Sequence, residues 1–348
     1  MKKTTKITAV LMVMAMLLTA LAGCGNSSDD KGGSADTGNA DVYHVGIVQQ
    51  LEHPALDEAT KGFQQALTDK LGKDGVEFDL QNAQNEAANC ATISQGFVSS
   101  NVDLIMANAT TALQSASQAT SEIPIVATSI TDYATALNIE DWKGVSGTNI
   151  TGTSDLAPLE QQVAMITELV PEAKQIGLLY CSAEPNSVYQ IKEVEKYLDE
   201  KGLKYTENAA ADSNEIQAVT TKAVSESDCI YIPTDNTMAQ NTEAINNVAQ
   251  PAKVPVIAGE EGICKGCGIA TLTISYYDIG YEAGLLAYDI LVNGADPATT
   301  PIQTFDSGIA TINVEACQAL GFDMETLQET FAPYCTKVQE VETAENFE

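Results

Sequence analysis

The chain has 348 residues, with 48 acidic side chains against 17 basic ones and a formal net charge of −31. Every basic residue is lysine, so bidentate guanidinium recognition of phosphate or carboxylate is excluded. With no basic footprint, nucleic acid is excluded as a partner.

Residues 1–23 read as a lipoprotein-type signal peptide. "MKKTTK" supplies three lysines, an uncharged apolar run follows, and "LAGC" places small residues before a cysteine. The apolar run is at the short limit for a membrane span. Cys24 is the expected lipidated residue, and several acyl chains give stable anchoring where one does not. Residues 24–41, rich in Gly, Ser, Asp and Asn, read as a flexible tether. Without the leader lysines, 14 basic residues face 48 acidic ones, a net charge near −34, which favours solubility. The expected location is the extracytoplasmic face of the cell membrane, with a lipid anchor.

From residue 42 onward about 300 residues remain, a length that usually splits into two domains. Short β-branched runs at 43–50, 76–84, 102–110, 123–130 and 145–150 predict five strands. A second series follows at 175–184, 204–210, 229–236, 254–260 and 268–275. Helical periodicity fills the gaps at 57–70, 88–99, 158–169, 187–200, 214–225 and 238–249. This alternation predicts βαβ units and parallel sheets covered on both faces. The similar spacing of the two series predicts two doubly wound lobes of one architecture. A further helix at 278–294, a weak strand at 301–308 and a helix at 324–333 follow, so the chain is expected to cross between lobes three times through hinge strands. The expected lobes are 42–153 with 277–300, and 154–276 with 301–340.

Ligands of doubly wound sheets sit outside the carboxyl ends of the strands. Those ends supply Gln49, Gln50, Glu52 and His53, then Asn82 and Gln84, then Asn108, Thr110 and Thr111. They continue with Thr128, Ser129 and Asp132, with Asn149 and Thr151, and with Glu184, Asn186 and Ser187. Thr234, Asp235 and Asn236 follow, then Glu260 and Glu261. The competing role for each is helix capping, which hydroxyl-rich loops serve routinely. The start of the helix at Thr110 or Thr111 presents backbone N–H groups suited to a ligand carboxylate. Asp235, just past an apolar strand, suits an ammonium group, because a buried carboxylate is costly without a cation. A socket for each charge describes an amino-acid zwitterion. Tyr276 and Tyr277, in an expected hinge strand, are further contact candidates, whereas Trp142 is expected to pack.

Seven cysteines besides Cys24 are an odd number, which cannot pair completely within one chain, and most are expected to act as small apolar core residues. The Cys-x-x-C at Cys264 and Cys267 lies among Gly262, Gly266 and Gly268, which predicts a turn or short hairpin. A thioredoxin-like centre needs its first cysteine at a helix N-terminus, and no second Cys-x-x-C or histidine pair completes a zinc site. No metal site and no cofactor are expected. No nucleophile elbow, Walker loop or G-x-G-x-x-G occurs, so no enzymatic activity is expected.

Several stretches carry a family likeness: "VGIVQQLEHPALDEATKGFQQAL" (45–67), "IMANATTALQSASQAT" (105–120), "IPIVATSITD" (123–132), "KQIGLLYCSAEPNSV" (174–188), "IYIPTDNTMA" (230–239) and "ATLTISYYDIGYEAG" (270–284). With these the chain resembles the ABC-transporter substrate-binding lipoproteins of the type I periplasmic-binding fold, in the branch associated with tryptophan and other aromatic amino acids. The resemblance implies a monomer whose two lobes close over one small amino-acid ligand and dock on a membrane permease. It also implies contacts at Gln49, Glu52, His53, Asn108, Thr110, Thr128, Asp132, Asp155, Asn186, Asp235 and Glu260. The chain departs from the pattern where relatives often read Ala-Thr-Pro and Thr-Asp-Pro, having Ala109-Thr110-Thr111 and Thr131-Asp132-Tyr133. A nucleoside or sugar ligand, a sensor role, and a redox or metal role for the Cys-x-x-C are the competing readings.

Overall fold

A computed structural model describes residues 42–305 and 308–344. The leader, the tether and Cys24 lie outside the described residues. The first sheet is built from β1 (Tyr43–Gln49), β2 (Val76–Asn82), β3 (Leu104–Asn108), β4 (Ile125–Ile130) and β5 (Ile150–Ser154). Their crossovers are α1 (Pro54–Leu71), α2 (Ala87–Ser100), α3 (Thr110–Ala119) and α4 (Tyr133–Leu137). After α5 (Leu159–Leu169) come β6 (Gln175–Cys181), α6 (Pro185–Glu200), β7 (Lys204–Ala210), α7 (Ile216–Glu226) and β8 (Cys229–Ile232). Then follow α8 (Asn236–Gln240), α9 (Thr242–Ala252), β9 (Val256–Ala258), α10 (Glu261–Gly266) and β10 (Ala270–Thr273). The chain ends with α11 (Tyr276–Asn293), β11 (Ile309–Asn313), α12 (Val314–Leu320), α13 (Met324–Phe331) and β12 (Lys337–Val341).

The first sheet is wholly parallel in the order β2-β1-β3-β4-β5. The second runs β12-β11-β10-β9-β8-β6-β7, parallel except where β10 meets β11. Strands β3, β4 and β8 are buried along their whole length, as largely apolar central strands covered on both faces require, and β5 at the sheet edge is buried as well. In the first lobe one face packs Phe97, Ile105 and Leu113, and the other packs Phe63, Leu104 and Met106. In the second, Leu178 and Tyr231 face one core and Leu179 and Ile230 the other, the alternation expected of a strand. The order reverses between β1 and β3 in one sheet and between β6 and β8 in the other, and these switch points face the cleft.

Four expected elements differ. The strand expected at 145–150 begins only at Ile150, because Gly144 and Gly147 take left-handed φ values of 82° and 69° and break the extended run. The strand expected at 301–308 is reduced to one bridge, Thr153 with Gln303, and the paired strand starts at Ile309. "GICKGCG" is a helix, α10, instead of a turn, because Glu260 caps it by accepting from the backbone N–H groups of Gly262 and Ile263. Tyr276 and Tyr277 open helix α11 instead of lying in a strand, since Ser275 caps that helix by accepting from the Asp278 N–H. The chain passes between the lobes three times, after β5, between β10 and α11, and ahead of β11. Gln303 runs beside β5, accepting from the Ser154 N–H and donating to the Gly152 carbonyl.

Helix α11 returns to the first lobe and lies on α1 through small residues. A Cβ on Gly280 would sit 1.9 Å from the Ala59 carbonyl oxygen, and one on Gly62 would sit 2.1 Å from that of Tyr277. Backbone atoms at that range cannot rotate away. Alanine in an exposed helix gains about 1 kcal/mol over glycine, but overpacking here costs about 1–3 kcal/mol and more. Gly280→Ala is therefore expected to destabilise the protein, read as a lower urea midpoint.

Candidate functional site

The two switch points meet across the cleft, and a small cavity lies between them. His53, Leu56, Ser129 and Thr131 line it from the first lobe. Asn186, Thr234, Asp235, Asn236, Ala239 and Glu260 line it from the second, and Asp155 and Tyr276 from the crossing segments. The space between these atoms is about 270 Å³ in all, of which about 10 Å³ admits the centre of a water molecule. The lobes are therefore closed on each other.

The second-lobe wall is organised by Glu184, which lies beyond the end of β6 and is buried. Its Oε2 accepts from the Asn236 N–H at 3.1 Å and Nδ2 at 2.7 Å, and from Asn186 Nδ2 at 3.2 Å. Its Oε1 accepts from the Thr237 N–H at 2.8 Å and hydroxyl at 2.6 Å. Asn236 and Thr237, fixed in this way, each take a hydrogen bond from the first lobe. Asn236 Oδ1 lies 3.1 Å from His53 Nε2, and Thr237 Oγ1 accepts from Asn85 Nδ2 at 3.0 Å. Asn85 Oδ1 in turn accepts from Gln50 Nε2, and Gln50 Oε1 accepts from the Thr111 N–H. An unbroken polar chain thus joins the start of α3 in one lobe to a buried carboxylate in the other.

Three further acids line the cavity. Asp155 accepts from the Thr131 hydroxyl at 3.0 Å and from the Tyr276 hydroxyl at 2.9 Å. Asp235 accepts from the Cys181 and Met238 N–H groups. Burial raises all three pKa values, Glu260 to about 7, and the Glu184 charge raises Asp235 further. Burial lowers the pKa of His53. No lysine is among the residues lining this cavity, and the chain has no arginine.

Of the expected site residues, His53, Ser129, Asp155, Asn186, Thr234, Asp235, Asn236, Glu260 and Tyr276 come together here. Glu52 and Tyr277 line a wider groove that shares His53, Ala239, Glu260 and Tyr276 with the cavity, and Tyr277 stacks on Tyr281 with 6.2 Å between ring centroids. Gln49, Asn108 and Thr128 lie beneath the site. Gln49 donates to the Leu51 carbonyl and Asp57 and accepts from Thr60. Asn108 donates to the Leu56 carbonyl and Thr60, and Thr128 accepts from Thr153.

The expected carboxylate socket at Thr110 and Thr111 is not on the cavity wall, because Gln50 takes the Thr111 N–H. Asn82 turns back to accept from the Gln84 N–H, and Asp132 caps α4 by accepting from the Thr135 N–H. Asn149 stands at the amino end of β5, donating to the Thr120 and Ile123 carbonyls. It belongs to the opposite edge of the sheet, since the strand starts one residue after it. Leu56, Thr131 and Ala239 went unpredicted as site residues: Leu56 and Ala239 are apolar residues of α1 and α8, and Thr131 lies in the loop after β4. Trp142 packs on Tyr133 with 6.0 Å between ring centroids.

The seven cysteines among the described residues are unpaired. Burial pushes the Cys264 and Cys267 thiols up, the reverse of what a thiol–disulfide centre needs. Among the described residues no cluster of His, Cys, Asp and Glu could hold a metal ion, and no helix is long and apolar enough to cross a membrane.

Residues 44–338 match the family model described as ABC transporter substrate binding protein. The chain belongs to this family. A tyrosine-binding protein of Clostridioides difficile (strain R20291) is 34% identical over 331 residues, covering 94% of this chain and 95% of that protein. An ABC domain from Streptococcus pneumonia, solved in complex with L-Trp, is 32% identical with a TM-score of 0.80 over 86% of this chain and 100% of that one. The ligand-free, open structure of a Clostridium difficile substrate-binding protein with adhesive properties is 33% identical with a TM-score of 0.66, over 87% and 100%. This substrate-binding protein thus has the expected architecture of two parallel-sheet lobes and is a binding component of an ABC transporter, not an enzyme.

Glu184→Gln turns an NH2 group toward donors that need an acceptor. The variant is expected to lose about 1–3 kcal/mol, read as a lower urea midpoint. Its lobes are expected to part, read as a larger radius of gyration in X-ray scattering than the wild type gives.

Proposed function

We propose that this protein binds an amino acid, with an aromatic one the best match, in the cleft between its lobes and delivers it to a membrane permease. The observation carrying this reading is that Asp155, Asp235 and Glu260 are buried around one cavity with no cationic side chain among its lining residues. Buried carboxylates are stable only when paired or hydrogen-bonded, and an α-ammonium group supplies the charge they lack. The Ser129 hydroxyl, buried without a partner on a residue held at φ 58°, is the donor offered to the ligand's carboxylate. The relatives that bind tyrosine and L-Trp support the aromatic class. Closure would bend the three crossings near residues 154, 276 and 301, with the closed form docking on the permease as a monomer.

A ligand-screened thermal melt tests the reading, since a ligand that binds only the folded state raises the melting temperature. Aromatic amino acids are expected to stabilise the protein. Stabilisation by sugars or nucleosides, with none from any amino acid, would overturn the proposal. The same melts have a pH signature. Burial raises the site acids, so the folded state holds their protons more tightly than the unfolded chain does. Stability without ligand should therefore fall as pH rises from about 4 towards 7. The ammonium ligand needs the acids ionised, so the shift it produces should grow over the same window.

We also propose that Cys24 is lipidated and holds the protein on the extracytoplasmic face of the membrane through the 24–41 tether. Cys24→Ser is expected to release the protein into the soluble fraction, and membrane retention of that variant would refute the anchor.

A further inference from the structure

His53 combines three features: it is 6% exposed, it lines the cavity, and its Nδ1 is buried with no hydrogen-bond partner. The chemical character of that nitrogen follows from Glu184. Both Glu184 oxygens accept from backbone N–H groups, so the carboxylate acts purely as an acceptor there. The Asn236 amide, 2.7 Å from Oε2, must turn its NH2 group to Glu184, because the flipped amide would set oxygen against oxygen. Asn236 Oδ1 then faces His53 Nε2 at 3.1 Å, so Nε2 carries the hydrogen. In the neutral ring this leaves Nδ1 as a bare acceptor. Burial favours the neutral ring, and the charge His53 senses is that of Glu184. Asp155, by contrast, is bonded to Tyr276, and the charges of Asp155 and Glu260 act on that tyrosine. Asp155 and Glu260 therefore lie by Tyr276, whereas His53 stands by Asn236 and, like Asp235, feels the Glu184 charge.

We infer that His53 is a specificity-determining residue whose Nδ1 accepts a hydrogen bond from a donor on the ligand's side chain, so that the site selects aromatic amino acids carrying a phenol O–H or an indole N–H over equally shaped ones that lack it. This rests on the amino-acid reading above. It also couples recognition to closure, because the nitrogen that fixes the tautomer is the one that bridges the lobes.

Isothermal titration of the wild-type protein with two ligand pairs tests it: L-tyrosine against L-phenylalanine, and L-tryptophan against L-3-benzothienylalanine, in which sulfur replaces the indole N–H. A site that leaves a buried polar atom unpaired rejects the donorless analogue. The donor-bearing member of whichever pair binds is expected to bind at least about tenfold tighter. In His53→Phe the ratio should fall to near one, even though loss of the Asn236 contact weakens both members together. A ratio near one in the wild type, or an unchanged ratio in the variant, overturns the inference. The wild-type comparison alone decides the matter if the variant does not fold. Binding of aliphatic amino acids but no aromatic ones overturns this inference and leaves the zwitterion reading standing. No binding by any amino acid removes both.

Discussion

Glu184 is 3% exposed, and it holds two backbone amides, two side-chain amides and a hydroxyl on its two oxygens. Removing a carboxylate from water is costly, and hydrogen bonds to the charged group recover that cost only when the donors are already in place. Here four of the five donors come from Asn236 and Thr237, the first residues of α8, whose backbone N–H groups have no partner within the helix. The fifth comes from Asn186. The consequence extends beyond the second lobe. Asn236 and Thr237 reach the first lobe with their acceptor oxygens outward because their donors are spent on Glu184. Both hydrogen bonds that cross the cleft at this point, from His53 and from Asn85, end on residues held by this one carboxylate.

The first lobe meets that rigid edge with strained backbone. Ala109 and Ser129, at the ends of neighbouring strands, hold φ values of 84° and 58°, conformations costing on the order of 1–3 kcal/mol for residues with a Cβ. The Ser129 strain coincides with the register shift between Ala127 and Ile130, and bulges commonly redirect a side chain at a functional site. The Ser129 hydroxyl has no partner, and the same holds for Asn108 Oδ1 and His53 Nδ1. Of these, Ser129 and His53 line the cavity, so strain and unmet hydrogen-bonding capacity meet at the site itself.

Much of the fold was legible in the sequence because parallel strands buried on both faces are continuous apolar runs, and β7 begins and ends where the sequence places it. The elements that went astray have local causes. The run "VSGTNI" contains enough β-branched residues to read as a strand, but two left-handed glycines flank its start, so Asn149 fell on the wrong edge. "GICKGCG" read as a turn because its glycines are conspicuous, whereas the feature that decides it is the capping carboxylate of Glu260 just upstream. Capping also claimed Asp132. In the candidate site, strand ends were the right place to look: seven of the residues they offered come together there, joined by Asp155 and Tyr276 from the crossings. Periodicity could not show which polar side chains satisfy one another. Gln50 closing off the Thr111 N–H and Glu184 fixing Asn236 are pairings across 61 and 52 residues of sequence, and only the folded chain makes them adjacent.

A two-lobed binder works by population shift, and a ligand moves the equilibrium only by the difference in its affinity for the two forms. The polar chain from Thr111 to Glu184 contains no ligand atom, so closing recovers part of its cost whether or not the cleft is filled. What that chain cannot supply is a cation for the buried acids of the cavity, whose desolvation opposes closure. On the amino-acid reading, the ammonium removes that opposition at the Tyr276 end while the side chain fills the His53 end. The protein would then close fully only around a molecule presenting both features. Selectivity in such a site comes as much from what the closed form leaves unpaired with the wrong ligand as from what it bonds with the right one.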